Sequence, residues 1–388
     1  MRVLILGAGG MLGHKVWQIF RDRFDGRFDC RAAVRTRLPL ALFDDERVID
    51  GFDAADFDGV RRLIAKIRPE VVVNCVGVVK QLAAAHDPIA SITLNSLFPH
   101  VVARACGEIG ARMIHVSTDC VFAGSRGNYR ETDLPDAADL YGRSKLLGEV
   151  VTEAQRVEAT TKGGYRQGRG KHGPLIRLRH LLPQLKNAGG EGLSMLERRE
   201  LFSGRRHGSQ NLRVTRGNQG LEAQTRVSVP HSLLGEVVTE AQTGVSVPHL
   251  TIRTSIIGRE LRTANGVVEW FLANRGGSVR GFTKAVFSGV TTTTLAQTLA
   301  DVIEHHPGLR GLYHVAGAAI TKYDLLVMLN EAFDAGATIT ADDSVAIDRT
   351  LDATRFREAT GMVPPAWREM IAALAAESPQ SERWRTTE

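Results

Sequence analysis

The stretch RVLILGAGGMLGHKV, Arg2 to Val16, decides the fold. Its first five residues are an unbroken, mostly apolar run of the kind found in strands covered on both faces by helices, as in a parallel sheet. A glycine-rich turn follows at once, and HKV opens a segment with helical spacing. Within GAGGMLG, Gly7, Gly10 and Gly13 stand three residues apart. A chain that leaves a strand, turns tightly and enters a helix needs glycine where a Cβ would block the turn or hold the backbone away from an anion. The helix N-terminus then aims its N–H groups at negative charge. This is the arrangement of a dinucleotide-binding loop, and it assigns Gly7, Gly10, Met11, Leu12 and Gly13 to a cofactor's pyrophosphate. A plain strand-turn-helix can carry similar glycines, so the rest of the chain has to support the reading.

It does so by rhythm. FDCRAAVR, EVVVNCVG and ARMIHVSTD read as further strands, separated by MLGHKVWQIFRDRF, FDGVRRLIAKI and ITLNSLFPHVVARACGEIG, each with helical periodicity. Alternating strands and helices predict an α/β, doubly wound, Rossmann-type parallel sheet. The pattern continues later with HLTIRTSIIG as a strand, VVEWFLANRG and TTTTLAQTLADVIEHH as helices, GLYHVAG as a strand and TKYDLLVMLNEAF as a helix.

The interruption has its own signature. LLGEVVTEAQ occurs at Leu146–Gln155 and again at Leu233–Gln242, 87 positions on, and EAQTRVSVPH at Glu222 returns as EAQTGVSVPH at Glu240. Joining Gln155 to Thr243 restores a continuous helix, loop and strand. Residues 156–242 therefore read as an insertion with duplicated flanks, expected to be poorly ordered; a genuine inserted subdomain is the alternative. The segment is Arg/Gly-rich, with 15 Lys and Arg against 7 Asp and Glu, so the chain's net charge of +6 resides there and the remainder is close to neutral. A basic patch of this kind without aromatic stacking platforms gives no case for specific nucleic-acid binding. The expected division is a dinucleotide-binding domain from 1–155 and 243–258, the insertion at 156–242, a smaller C-terminal α/β substrate-binding region over 259–376 that returns a strand to the sheet near 311–317, and a frayed polar tail at 377–388.

No apolar run is long enough to cross a bilayer, and Cys30, Cys75, Cys106 and Cys120 lack metal-ligand spacing, so neither a membrane nor a metal site is expected and a reducing cytoplasm fits.

After the second strand, where an acidic residue would meet a free ribose 2′-hydroxyl, the sequence has Arg35 and Arg37. Two cations suit a 2′-phosphate, favouring NADP(H) over NAD(H). Asp50, in VIDGFD, stands where the third strand should end, either as an acceptor for the adenine amino group or as a turn residue. In YGRSK, Tyr141 and Lys145 are four positions apart and share a helix face. An ammonium beside a phenol lowers its pKa and lets it exchange a proton with a carbonyl or hydroxyl. Ser117 and Thr118, in HVSTDCVFAG, end a strand on the same sheet edge, and Thr118 is placed to hydrogen-bond the reacting oxygen.

With these residues in view the chain resembles the extended short-chain dehydrogenase/reductases, most of all their dTDP-4-dehydrorhamnose reductase branch of sugar-nucleotide-modifying enzymes. GAGGMLG, NCVG, LNSLFPH, STDCVF, YGRSK and RTSIIG carry the resemblance, which covers nearly all of the chain except 156–242. It implies catalysis by Thr118, Tyr141 and Lys145, a cofactor lined by Asn74, Val76 and Gly77, and a nicotinamide ribose held by Tyr141 and Lys145. The implied reaction is NADPH-dependent hydride transfer to the C4 ketone of a nucleotide-linked deoxysugar, with Tyr141 delivering the proton. The implied setting is dTDP-rhamnose and polysaccharide biosynthesis, with a nucleotide sugar and a second copy in a homodimer as partners. Where related reductases usually carry an aromatic residue after STD, this chain has Cys120. Asp119, Arg253 and Trp270 are further substrate-contact candidates. A nucleotide-sugar epimerase and a non-catalytic dinucleotide-binding regulatory subunit are the alternative functions; a 4,6-dehydratase is disfavoured because Asp119 is not followed by Glu.

Overall fold

The computed structural model describes residues 1–23, 26–80, 86–149 and 249–383, with side chains as far as Glu377. All of them fall in one of the two units into which the chain divides, Met1–Gly163 with Gly244–Glu388. The expectations for residues 156–242, and the helix expected to run on to Gln155, lie outside the described residues.

The sheet has seven strands: β1 (Arg2–Leu6), β2 (Asp29–Ala33), β3 (Val48–Ile49), β4 (Val71–Asn74), β5 (Arg112–Thr118), β6 (Leu250–Thr254) and the strand Gly311–His314. Their spatial order is Gly311–His314, β6, β5, β4, β1, β2, β3, and every neighbouring pair is parallel. The order reverses between β1 and β4, the switch point where open α/β sheets present a crevice. The doubly wound, Rossmann-type expectation is borne out; the strand Gly311–His314 pairs with β6 at the edge of the sheet.

Two apolar layers cover the sheet. Val3 and Ile5 face one, with Val16, Trp17 and Phe20 of α1 (Gly13–Arg23) and Leu295, Leu299 and Ile303 of the helix Thr292–His305. Leu4 and Leu6 face the other, with Val60 and Ile64 of α2 (Phe57–Ile67) and Val102 of α4 (Phe98–Ile109). Alternate residues of one strand are thus buried on opposite faces, which is why its hydrophobicity is continuous.

The segment read as one long helix, ITLNSLFPHVVARACGEIG, is more articulated. A short α3 (Pro88–Ser91) passes into a π-helical turn, Ile92–Leu97, and only then into α4. Pro99 has no N–H, so the Asn95 carbonyl has no donor four residues on, and the helix widens one turn earlier. The freed carbonyl is met by Gly148, where a Cβ would lie 2.2 Å from it. The helix closes at Gly110 with φ 71°.

Beyond β6, the strands Ser278–Phe282 and Thr338–Asp342 pair in parallel, and Ala285–Phe287 lies between Ile320–Thr321 and Ile347–Asp348. Of the tail expected from Glu377, the first residues continue the helix Trp367–Arg383, and 384–388 lie outside the described residues. Glu377 accepts a hydrogen bond from Thr293 at 2.9 Å and pairs with Lys15 at 2.8 Å. Trp367, Met370, Ile371 and Leu374 are buried along one helical stripe. Among the described residues no helix is long and apolar enough to cross a membrane.

Trp17 ties α1 to the β2–β3 connection. It is fully buried, its Nε1–H donates to the Leu42 carbonyl at 2.8 Å, and the Arg47 guanidinium lies 5.4 Å from its ring centroid. Trp17→Phe removes the donor and leaves a small void. It is expected to lower stability by about 2 kcal/mol, read as a reduced denaturant midpoint at constant slope.

Candidate active site

The register of the sheet brings the three predicted motifs to one edge. Leu6 pairs with Asn74, and Asn74 with His115, so the chains leaving β1, β4 and β5 emerge side by side. Gly7 turns with φ 79°, and a Cβ there would lie 3.0 Å from Val76 Cγ2 and 3.1 Å from its amide nitrogen. A Cβ on Gly13 would lie 2.1 Å from the Gly7 carbonyl oxygen, so this glycine lets α1 pack against its own turn. Gly10 is less constrained, with its nearest contact at 3.4 Å. Gly9, which sequence reasoning passed over, meets only Val34 Cγ1 at 3.9 Å. The outer face of the loop is therefore open at Gly9 and Gly10, the cradle a pyrophosphate requires. Met11 is half-buried, whereas the Leu12 side chain packs into the core and leaves only its backbone for a ligand.

Arg35 is exposed just past β2. Arg37 is exposed overall, but its guanidinium donates to the carbonyls of Phe43 at 3.0 Å and Val48 at 2.6 Å, so it braces the connection to β3. The Asp50 carboxylate accepts from the backbone N–H groups of Arg37 at 2.7 Å and Gly51 at 2.8 Å. Asp50 thus serves the turn, and of the two arginines Arg35 has the freer head for a 2′-phosphate.

Asn74 is fully buried. Its Oδ1 accepts from the Val76 amide at 3.0 Å and its Nδ2 lies 3.1 Å from His115 Nδ1, so it shapes the turn after β4. Val76 packs on Gly7, and Gly77 is exposed. A Cβ on Gly77 would lie 3.9 Å from Lys145 Nζ, which brings this turn against the YGRSK helix.

That helix, α5 (Leu140–Leu147), is capped by Asp139, which accepts from the Gly142 amide at 2.8 Å. A Cβ on Gly142 would lie 2.1 Å from the Cys120 carbonyl oxygen, so glycine here allows α5 to seat directly on the turn following β5. Tyr141 consequently stands by Thr118, whose hydroxyl favours the ionised phenol. Thr118 also donates to Asp119 at 3.1 Å and accepts from the Cys120 amide at 3.1 Å. Lys145 is buried and donates to the Val116 carbonyl at 2.8 Å.

One electrostatic expectation is overturned. Burial pushes the Tyr141 phenol above its ordinary value; Cys120, Asp119 and Asp139 push the same way, and only the Thr118 hydrogen bond opposes them. Burial likewise pulls Lys145 down to about 8, against the attraction of Glu149 and Cys75. The ammonium is turned to the Val116 carbonyl, and desolvation of the phenol prevails.

Sequence reasoning missed several groups. From the π-helical turn, Asn95 donates to the Val78 carbonyl at 3.0 Å and to Ser144 Oγ at 3.1 Å, and accepts from the Val78 amide at 2.9 Å. The proline in LNSLFPH was the available signal. Asp119 is buried and its carboxyl is raised by desolvation, with Arg349 and Lys322 as the opposing cations. Arg349 donates through Nε to the Phe122 carbonyl at 2.9 Å, and Lys322 Nζ stands 3.7 Å from the Phe287 ring centroid. No motif marks these two, which approach from some 200 residues away. Of the earlier candidates, Asp119 lies at the centre, Trp270 is 42% exposed, and Arg253 is 2% exposed and bound to Glu149, which removes it as a substrate contact.

Residues 1–161 match the family described as RmlD substrate binding domain. A dTDP-4-dehydrorhamnose reductase of Mycolicibacterium smegmatis is 32% identical over 174 residues, covering 44% of this chain and 47% of that protein. Methionine adenosyltransferase 2 subunit beta of Bos taurus is also 32% identical, over 148 residues, 38% of this chain and 41% of that one. The chain thus spans about half the length, or less, of these curated relatives. The solved dTDP-4-dehydrorhamnose reductase of Bacillus anthracis, a complex with NADP, superposes with a TM-score of 0.61 over 97% of this chain and 99% of that one. At 16% identity it is a likeness of fold. The resemblance read from the motifs is borne out.

Gly142→Ala places a methyl group against a backbone carbonyl, which cannot swing aside as a flexible side chain would. The variant is expected to lose about 1–3 kcal/mol by overpacking. Its crystal structure should show α5 displaced from the turn after β5 and Tyr141 drawn away from Thr118; an unshifted helix would refute the close-packing role.

Proposed function

We propose that this chain is an NADPH-dependent reductase acting on the 4-keto group of a nucleotide-linked 6-deoxysugar, of the dTDP-4-dehydrorhamnose reductase type. The observation that carries the proposal is the convergence of Tyr141 and Thr118 at the sheet edge that also bears the open glycine loop, with Lys145 one turn along α5. The loop's open face at Gly9 and Gly10 and the exposed Arg35 suit a phosphorylated dinucleotide. When bound, that group supplies the hydride.

The protein's own residues then manage one oxygen and one proton. Thr118 and Tyr141 hold a carbonyl oxygen between two hydroxyl groups. A phenol raised by burial keeps its proton at neutral pH, the state a reduction needs, because the oxygen that gains electron density becomes a strong base and takes that proton. The phenolate left behind is favoured by the Thr118 hydroxyl. Asn95 and Ser144 hold the turn after β4 against α5, which keeps the cofactor side of the crevice in register with Tyr141. Beside Asp119, Lys322 and Arg349 suit the diphosphate of a nucleotide sugar. Four free cysteines fit a reducing, cytoplasmic setting.

A second reading, a non-catalytic dinucleotide-binding subunit, has an observation of its own: the identity to methionine adenosyltransferase 2 subunit beta of Bos taurus equals that to the reductase of Mycolicibacterium smegmatis. Such a role predicts dinucleotide binding without turnover. The deciding measurement is NADPH oxidation with a dTDP-4-keto-6-deoxyhexose. Turnover supports the reductase, whereas tight NADPH binding without turnover across a panel of 4-keto sugar nucleotides favours the binding subunit.

Tyr141→Phe is expected to reduce kcat by about 10²–10⁴-fold with NADPH affinity unchanged, measured by steady-state kinetics and by titration of cofactor fluorescence. Arg35→Ala is expected to raise KM for NADPH about tenfold and leave KM for NADH nearly as it was. Equal effects on the two cofactors would remove Arg35 from the 2′-phosphate.

A further inference from the structure

The turn that leaves β5 begins at Ser117 and Thr118, passes through the short 3-10 turn Asp119–Val121 and ends at Phe122. Both of its ends rest on one buried ion pair. Arg253 of β6 donates to the Glu149 carboxylate through Nε at 3.0 Å and Nη2 at 2.6 Å, and the two side chains are 2% and 4% exposed. At the start of the turn Ser117 Oγ donates to Glu149. At its far end the ring centroid of Phe122 lies 5.2 Å from the Arg253 guanidinium carbon. Phe122 is fixed from behind, stacked on Tyr129 at 4.1 Å and edge-on to His314 at 6.1 Å.

The same pair carries one end of α5. Glu149 follows that helix in a turn closed by its N–H, which donates to the Leu146 carbonyl at 3.0 Å. The other end of α5 seats on the Cys120 carbonyl oxygen, where a Cβ on Gly142 would lie 2.1 Å away. The helix is thus fastened at both ends to residues that bracket Thr118, Ser117 on one side and Cys120 on the other. Tyr141 rides on it beside Gly142. A buried carboxylate–guanidinium pair loses much of its attraction to desolvation, and apolar residues of similar volume often replace it without loss of stability. What such residues do not supply is direction, which the planar, bidentate hydrogen bonds of this pair impose on everything attached to it.

We propose that Glu149 and Arg253 are positioning residues: as one ion pair they set α5 and the Thr118 turn against each other, so that the Tyr141 phenol and the Thr118 hydroxyl face the same point. The inference rests on the reading of those two side chains as the groups that hold the reacting oxygen. Glu149 and Arg253 act only through them.

The test is Glu149→Gln in the full-length chain, which keeps the shape of the side chain and removes the charge that holds Arg253. Its crystal structure is expected to show the end of α5 drawn off Ser117 and the Tyr141 hydroxyl displaced relative to Thr118. In steady-state kinetics kcat should fall about 10- to 100-fold with KM for NADPH unchanged. Placed on Tyr141→Phe, the same substitution should cost less than about twofold, because the group it misplaces is already absent. A purely structural role would lower the unfolding midpoint and reduce kcat by the same factor in both backgrounds. That result, or a folded Glu149→Gln with Tyr141 in its wild-type place, overturns the proposal. If Glu149→Gln does not fold, Ser117→Ala removes one attachment and leaves the ion pair whole. It should shift α5 in the crystal and lower kcat about three- to tenfold, again only where Tyr141 is present, and an unmoved α5 would count against the pair. Wild-type protein that binds NADPH but never turns over would sink the reductase reading, and the crystal structures would still decide whether the pair places Tyr141.

Discussion

The candidate site depends on one constraint, the parallel register in which Leu6, Asn74 and His115 lie abreast across β1, β4 and β5. β1 and β4 thereby end at the same level, and β5 beside them runs three residues further, to Thr118. The glycine turn, the Asn74 turn and the Thr118 turn become neighbours without any of them recognising another. Both faces of these strands are buried, so a slip of one residue would exchange the two apolar layers and the register is strongly specified. What looks like a fold-level feature is in this sense the first determinant of the chemistry.

Close backbone contact completes what register begins. Gly7 against Val76, Gly13 against the Gly7 carbonyl, Gly142 against the Cys120 carbonyl and Gly148 against the Asn95 carbonyl are four places where a Cβ would meet atoms at 3.0 Å or less. Together they draw α1, the turn after β4, the π-helical turn and α5 into one crevice. In that dry crevice burial governs ionisation. The phenol of Tyr141 rises, the amine of Lys145 falls, and Asp119 rises although two cations face it. Desolvation exceeds the pairwise attractions because each group has lost water and gained only one or two polar neighbours.

Much of this was legible beforehand. Strands with two buried faces announce themselves as unbroken apolar runs, and FDGVRRLIAKI was readable from its apolar spacing as the helix it forms, whose N-terminus the structure shows capped by Asp56. The glycine pattern, the YGRSK spacing and the strand-terminal Ser117–Thr118 are local and stood out. Other features share a cause. Arg37 and Asp50 spend polar groups on the chain itself, burial raises the phenol that an ammonium was expected to lower, and Glu377 is held by Thr293 and Lys15. Each outcome turns on a partner distant in sequence, which local spacing does not reveal.

By itself the sequence determined the alternation of strands and helices, the place of the glycine turn and the shared helix face of Tyr141 and Lys145, because each is written in residues a few positions apart and follows from backbone geometry. The tertiary structure alone decided which polar groups remain available: that Arg253 is bound to Glu149, that Lys322 and Arg349 approach Asp119, and that Asn95 braces Ser144. Those relations depend on packing and on the loss of water between segments tens to hundreds of residues apart, and a one-dimensional pattern carries neither distance nor burial.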